Sequence, residues 1–361
     1  MNRRRTMISL EDKDRLQAWE GRDPSRPHGD QPGRAWPPLP ELAAQPGTAW
    51  LLAGPTASGK SAVAQWIAER HGAAVLSADA MLVYRGMDIG TAKPSPAERG
   101  AVTYLGLDCA SPGAPFSTGD WLAHARRGLA ALDPARPVIV TGGTGLYFRA
   151  LLSGLDGVAA DPARRDYWQD RYAREGLDGL WQALDAFGEA AALAPGDRHN
   201  PRRCIRALER AERAVAADGA AARAPTGTWR AGGAPAVPAL CLPRDQLHAR
   251  IERRARRMLA DGLVEEAVAL RACGALSATA GQAIGYAEAL ALADGRMTAA
   301  AALARIVVRT RQLAKRQMTW FRHQFAVHWI EIVGDMPVAQ VAGRVLEVWR
   351  QHGAAPILPV A

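Results

Sequence analysis

The sequence predicts an α/β protein with a parallel sheet flanked by helices, on three observations. An apolar run at residues 49–53 is followed by a glycine-containing loop and a helical pattern at residues 62–68. Two further apolar runs, residues 73–78 and 137–141, have the length of buried strands. Each run ends in polar or glycine residues, and open α/β sheets bind ligands at the carboxyl ends of their strands. We therefore expect three strand ends to converge on one crevice.

The loop after the first strand has the spacing of a phosphate-binding P-loop. It consists of Gly54, Pro55, Thr56, Ala57, Ser58, Gly59, Lys60 and Ser61. In such a loop the backbone N–H groups point inward, and the N-terminus of the next helix adds positive charge. Lys60 is expected to reach the outer phosphate and Ser61 to ligate Mg²⁺. A glycine-rich turn is the alternative, but the flanking strand and helix favour a site for a di- or triphosphate.

Three more candidates follow predicted strands. Asp79 suits a general base or a Mg²⁺-linked carboxylate, and the alternative is a solvated turn aspartate or a helix cap. Thr144, in the run Gly142–Gly145, offers a hydroxyl to a second polar group unless the run is only a tight turn. Arg244, just after a strand predicted at residues 236–242, is either a phosphate partner or a surface charge.

Composition narrows the class of protein. The chain has 361 residues, 48% of them hydrophobic, which is enough for a substantial core. Its net charge is +9. Residues 1–47 carry eight basic and seven acidic residues, so nearly all of the positive charge lies in the rest of the chain. This charge indicates either a polyanionic partner or a basic surface. Four cysteines without CxxC spacing argue against a disulfide framework or a zinc site. We find no long apolar run or secretory signal and expect a cytoplasmic protein.

The predicted domains are an α/β core with an all-helical insertion. The core takes residues 48–155 and 236–335, the latter including C-terminal helices, and the insertion takes residues 156–235. Residues 1–47, with seven prolines, are predicted to be a disordered arm, and residues 336–361 are a C-terminal segment.

Two predicted helices carry basic residues. The insertion helix after Asn200-Pro201 should place arginines on one face and apolar residues on another, namely Arg202, Arg206, Arg210 and Arg213 against Ile205, Leu208 and Val215. Long helices are also expected at residues 245–272, 282–294 and 298–323, and the last of these is basic. Such faces suit nucleic-acid phosphates, whereas Trp320 and Phe321 are predicted to pack in the core rather than to stack on bases.

Six motifs occur in order and together resemble the bacterial tRNA dimethylallyltransferase family. They are the P-loop, Ser77–Asp79, Tyr84–Pro94, Gly142–Tyr147, Ala283–Tyr286, and Thr310–Gln317 with Thr319–Arg322. The resemblance covers about Trp50 to Trp329. Members of this family prenylate N6 of the adenosine 3′ to the anticodon, position 37, in tRNAs that read codons beginning with U.

The resemblance implies that the P-loop holds the diphosphate of dimethylallyl diphosphate and does not transfer a phosphoryl group. The products would be N6-(dimethylallyl)adenosine and diphosphate, with Mg²⁺ as cofactor. We expect a monomer. Lys60, Ser61 and Arg244 would stabilise the leaving group. Asp79 would act as base towards N6, and Thr144 would help to position the reacting groups.

The resemblance also implies tRNA contacts in several segments. They are Asp79, Ala80, Met81, Leu82, Thr144, Arg165, Arg202, Arg203, Cys204, Ile205, Arg206, Gln282, Ala283, Ile284, Gly285, Tyr286 and Ala287. Three positions depart from the family pattern: Ala80 stands for Ser, Leu82 for Gln, and Ala287 for a basic residue. Side-chain contacts expected at these positions are therefore missing.

Two alternatives predict different behaviour. A P-loop small-molecule kinase would consume nucleotide without tRNA, and it gives no reason for two basic helices. A non-catalytic RNA-binding relative, suggested by Ala80 and Ala287, would bind tRNA without prenyl transfer.

Overall fold

The computed structural model describes residue 42 and residues 47–155, 161–193, 195–216 and 236–357. Most of the predicted N-terminal arm and the segment 217–235 lie outside the described residues. The chain divides into two compact units, one formed by Met1–Gly154 with Ala231–Ala361 and the other by Leu155–Arg230.

The first unit is built on a sheet in which six strands are parallel, as predicted. The strands are β1 (Thr48–Ala53), β2 (Ala74–Ser77), β3 (Tyr104–Leu105), β4 (Val138–Gly142), β5 (Val237–Cys241), β6 (Val327–Glu331) and β7 (Ala355–Pro356). Their order is β3-β2-β4-β1-β5-β6, and β7 pairs antiparallel with the start of β1. Thr141 of β4 lies between Leu52 of β1 and Ser77 of β2. The ends of β1, β2 and β4 are thus adjacent, which confirms the predicted convergence.

Nine helices of the first unit lie in the described residues. They are α1 (Lys60–His71), α2 (Pro96–Arg99), α3 (Thr118–Ala130), α4 (Gly145–Ser153), α7 (Arg244–Ala260), α8 (Leu263–Ala272), α9 (Tyr286–Ala293), α10 (Ala299–Gln324) and α11 (Val338–His352). The single helix predicted at residues 245–272 is wrong, because Gly262 adopts a φ of 105° and separates α7 from α8. The helix predicted from residue 282 begins at Tyr286, after a short 3-10 helix, Ala280–Gln282.

Aromatic side chains fill the space between sheet and helices. Trp121 stacks on Tyr147 with ring centroids 4.3 Å apart and donates its indole N–H to Ser77 O at 3.0 Å. Phe321 of α10 is buried and meets Phe148 edge to face at 5.5 Å, so its predicted core role is confirmed. The C-terminal segment also belongs to this core, since Trp349 of α11 donates to Leu51 O at 2.8 Å. Among the described residues, no helix is both long and apolar enough to cross a membrane.

The second unit consists mainly of α5 (Pro162–Ala186) and α6 (Pro201–Ala216). Trp168, Leu180 and Leu184 of α5 pack against Cys204 and Leu208 of α6 in a small apolar core. The prediction that Val215 lines the apolar face is wrong, because Val215 is 69% exposed at the end of α6. Ala211, one turn earlier, is the last buried residue among those described in this helix.

Candidate active site

The P-loop follows β1 and delivers the chain into α1. Gly54 has a φ of 153°, and a Cβ there would lie 2.9 Å from Ser58 Oγ and 3.1 Å from Leu240 O, so the loop requires glycine at this position. Gly59, with a φ of 90°, is the N-cap of α1 and supplies no side-chain cap. The first N–H groups of α1 therefore remain available to an anion.

Lys60 is held inside the P-loop. The residue is 9% exposed, and Nζ donates to Pro55 O at 3.2 Å. The pKa of Lys60 is lowered to about 8, mainly because the ammonium is buried. The negative charge of Asp79 raises this pKa, and the positive charge of Arg254 lowers it further. A carboxylate and a guanidinium thus lie within electrostatic range of the P-loop ammonium.

This pKa predicts how anion binding depends on pH. Lys60 is charged below about pH 8 and neutral above it, so affinity for a diphosphate should fall as pH rises through that value. Calorimetric titration with inorganic diphosphate between about pH 7 and about pH 9 measures the effect. The Lys60→Ala variant is the control and should lose this inflection, and equal wild-type affinity across the range would contradict the prediction.

Asp79 and Thr144 lie at the ends of β2 and β4 and are joined through the backbone. Thr144 Oγ1 accepts from Ala80 N–H at 3.0 Å, and Thr144 N–H donates to Ala78 O at 3.1 Å. Asp79 Oδ1 accepts from Met81 N–H at 2.9 Å. Because Ala80 is held by its backbone N–H, this contact does not depend on the serine hydroxyl that the family pattern has there.

Arg254 of α7 contacts the P-loop through its side chain. Arg244 is exposed at the first position of α7, and its side chain makes no hydrogen bond or ion pair within the described part of the chain, so its contact with a diphosphate stays a prediction. Arg254 lies ten residues further, about 15 Å along the helix. Its guanidinium donates to Thr56 Oγ1 at 3.4 Å and to Thr91 O at 3.0 Å.

A second arginine of α7 approaches the same loop. Arg250 Nη1 lies 3.7 Å from the position that a Cβ on Gly59 would take. Arg250 and Arg254 are four residues apart and share a helix face. Arg244 was predicted instead, because it follows a strand and because the family resemblance implies a phosphate contact there.

Two family models match the sequence of this chain. The model described as IPP transferase matches residues 82–324, and the one described as isopentenyl transferase matches residues 47–108. The chain belongs to the IPP transferase family. It is 41% identical to the tRNA dimethylallyltransferase of Anaeromyxobacter dehalogenans strain 2CP-1, covering 82% of this chain and 96% of that one. It is 40% identical to that of Geobacter metallireducens, over 79% and 92% of the two chains.

Solved structures agree with this family. The tRNA isopentenylpyrophosphate transferase from Bacillus halodurans superimposes with a TM-score of 0.59 at 31% identity, covering 84% of this chain and 97% of that one. A eukaryotic dimethylallyltransferase acting on tRNA gives a TM-score of 0.61 at 18% identity, covering 81% and 77%, and shows the shared fold.

Part of the segment 282–287 of this IPP transferase is buried. The side chains of Ala283 and Tyr286 are buried, whereas Gln282 and Ala287 are exposed, and the tRNA contacts of this segment stay predictions. Tyr286 OH donates to Glu266 Oε1 at 2.6 Å.

Glu266 ties this segment to the motif after β2. Its carboxylate also accepts the backbone N–H groups of Asp88, Ile89 and Gly90, at 3.0, 2.8 and 3.1 Å. The next residue, Thr91, is the one whose carbonyl receives Arg254. Glu266 therefore supports the backbone that orients the P-loop arginine.

Removing one oxygen from Glu266 should destabilise the fold. In Glu266→Gln an amide NH₂ would face N–H or O–H donors, and we expect a loss of about 3 kcal/mol in the free energy of unfolding. Thermal melting measures it, with Glu265→Gln, on the exposed neighbour, as the matched control. Equal melting temperatures for the two variants would refute this role.

In the helical unit, the residues predicted to contact tRNA differ in the exposure of their side chains. Glu209 is buried and accepts from Arg165 at 2.9 Å and from Arg206 at 2.7 Å. Two predicted tRNA contacts are thus paired with one carboxylate, and their side chains remain 37% and 30% exposed. Cys204 and Ile205 are buried in the core of this unit, and their contact with tRNA stays a prediction. The side chains exposed in this stretch are those of Arg202 and Arg203, the latter paired with Asp197.

Proposed function

We propose that this IPP transferase moves the dimethylallyl group of dimethylallyl diphosphate to N6 of the adenosine at position 37 of tRNAs reading codons that begin with U. The observation that carries the proposal is the grouping of Lys60, Asp79 and Arg254 at the P-loop, with Thr144 bound to the backbone beside Asp79. In the proposed reaction these cations would stabilise the leaving diphosphate, and the carboxylate would take the proton. The names of the relatives, tRNA dimethylallyltransferase, point to the same reaction.

In the proposed reaction one C–O bond of the donor breaks and one C–N bond forms at N6. The N6 proton passes to the carboxylate of Asp79, and the bonding electrons of the C–O bond leave with the diphosphate. Lys60, Arg254 and the P-loop amides stabilise that growing negative charge, which is the main electrostatic demand of the step. Because an exocyclic amine is a weak nucleophile, its orientation beside the allylic carbon matters as much as proton removal.

Mg²⁺ is the proposed cofactor, and the donors at the site fit it. Ser61 is exposed at the start of α1, and the carboxylate of Asp79 lies in range of Lys60. Among the described residues, no group of three or more His, Cys, Asp or Glu side chains is arranged to hold a metal. Mg²⁺ suits such a sparse donor set because it keeps several waters and binds phosphate oxygens. When bound, it would neutralise charge on the leaving diphosphate.

The proposed tRNA contacts are those that solvent reaches. Arg202 and Arg203 of the helical unit, and Gln282 and Ala287 of the first unit, are exposed. The target base must leave its stack before N6 reaches the donor, as bases do in other modifying enzymes. We also propose that the enzyme acts as a monomer in the cytoplasm, where its tRNA substrate would be found.

Transfer of label tests this function. We expect radiolabelled dimethylallyl diphosphate with Mg²⁺ to label unmodified tRNA, and not tRNA whose target adenosine is replaced by guanosine. Binding of tRNA without label would refute the enzyme and favour a non-catalytic RNA-binding relative. ATP consumption without tRNA would instead indicate a kinase.

A further inference from the structure

Gln317 of α10 connects the long basic helix to the P-loop. Its Oε1 accepts the backbone N–H of Thr56 at 2.8 Å, across 261 positions of sequence. The Thr56 hydroxyl accepts from Arg254. Both the backbone N–H and the side chain of Thr56 are thus held by residues from outside the P-loop.

The other end of the Gln317 carboxamide lies on Gly143. A Cβ built on Gly143 would come within 2.1 Å of Gln317 Nε2 and 2.9 Å of its Cδ. Trp320, one turn further along α10, lies in the same way over Gly145, where a Cβ would be 1.9 Å from the indole ring. These two side chains of α10 therefore rest on the glycines on either side of Thr144.

We infer that Gln317 is a positioning residue that fixes the P-loop relative to the Thr144 loop, an inference that rests on the proposed function. The P-loop would hold the leaving diphosphate, and Thr144 lies beside the proposed base. Transfer requires these two sides to keep one separation, and a misplacement of about 1 Å costs roughly 100-fold in rate. Gln317 contacts both sides with a single rigid amide.

Kinetics of Gln317→Met and Gln317→Ala test the inference. Methionine keeps the length of the side chain but has no acceptor strong enough for Thr56 N–H. We expect kcat/KM for the donor to fall about 10-fold to about 100-fold, through both a higher KM for dimethylallyl diphosphate and a lower kcat. Affinity for tRNA alone and the melting temperature should stay at wild-type values. The matched control is Gln340→Ala, on an exposed glutamine of α11.

Gly143→Ala tests the same contact from the opposite side. The added methyl group meets the flexible end of Gln317, so the fold can adapt, but the amide is pushed away from Thr56. We expect Gly143→Ala alone to lose activity as Gln317→Met does. Gln317→Ala lacks that end of the side chain. When Gly143→Ala is added to this variant, we expect activity to fall by less than about threefold below that of Gln317→Ala alone. Full additivity of the two losses would overturn the shared mechanism.

Binding of inorganic diphosphate with Mg²⁺ separates this inference from the proposed function. We expect Gln317→Met to bind diphosphate several-fold more weakly than the wild type does. If wild-type enzyme failed to label tRNA while this difference remained, the proposed function would fail and the positioning of the P-loop would stand. Wild-type kinetics and diphosphate affinity in Gln317→Met would overturn the inference, as would a lower melting temperature with an unchanged KM.

Discussion

Replacing Arg254 by alanine is expected to lower prenyl transfer about 100-fold, the usual loss when one charged donor to a developing anion is removed. The guanidinium lies at Thr56 Oγ1 within the P-loop and close enough to Lys60 to lower the pKa of that ammonium. Its charge should count most as the diphosphate leaves, so kcat should fall more than KM rises. Steady-state kinetics with dimethylallyl diphosphate and unmodified tRNA measure the two effects separately.

Arg244→Ala is the matched control for this experiment. It removes the same charge from the same helix, but at an exposed position about 15 Å from Arg254. If Arg254 alone serves the leaving diphosphate, the rate of Arg244→Ala should stay within about threefold of wild type, because solvent and salt screen an exposed charge. A larger loss from Arg244→Ala than from Arg254→Ala would show that the arginine at the start of α7 stabilises the leaving diphosphate. Arg254→Lys should recover only part of the rate, since an ammonium cannot donate to Thr56 and Thr91 together in the same planar geometry.

The sequence predicted those site residues that directly follow a strand. The P-loop, Asp79 and Thr144 each follow a buried apolar run, and parallel pairing brings the ends of such runs together. Arg254 and Gln317 were missed as site residues because each reaches the P-loop from a helix far along the chain. Which turn of a long helix faces the loop depends on how that helix packs, and local periodicity does not contain this information.

Burial distinguishes among the residues that were predicted to contact nucleic acid. On the insertion helix, spacing alone placed Arg206 on an exposed basic face, but its side chain is only 30% exposed and pairs with the buried carboxylate of Glu209. In the segment 282–287, Tyr286 is buried with its hydroxyl on Glu266. The segments that the family resemblance assigns to tRNA therefore contain buried residues as well as exposed ones. Spacing in the sequence does not distinguish these two groups.

Asp79→Asn is expected to lower kcat about 1,000-fold, within the range that general-base catalysis contributes. The amide is nearly isosteric, so it keeps an acceptor for Met81 N–H and the local backbone, but it cannot take the N6 proton. Single-turnover transfer of label to tRNA measures the chemical step without product release. The mutant should still bind both tRNA and dimethylallyl diphosphate.

The same variant has a second, independent consequence for Lys60. The charge of Asp79 raises the pKa of Lys60 against the effect of burial, so removing it should move the inflection in diphosphate affinity below about pH 8. A base that acts only on the adenine would change kcat and leave this inflection where it was. A shifted inflection with a wild-type rate would mean that Asp79 serves the charge of the P-loop and that another group accepts the proton. Loss of rate together with the shift would assign both roles to one carboxylate, placed where the adenine and the diphosphate meet.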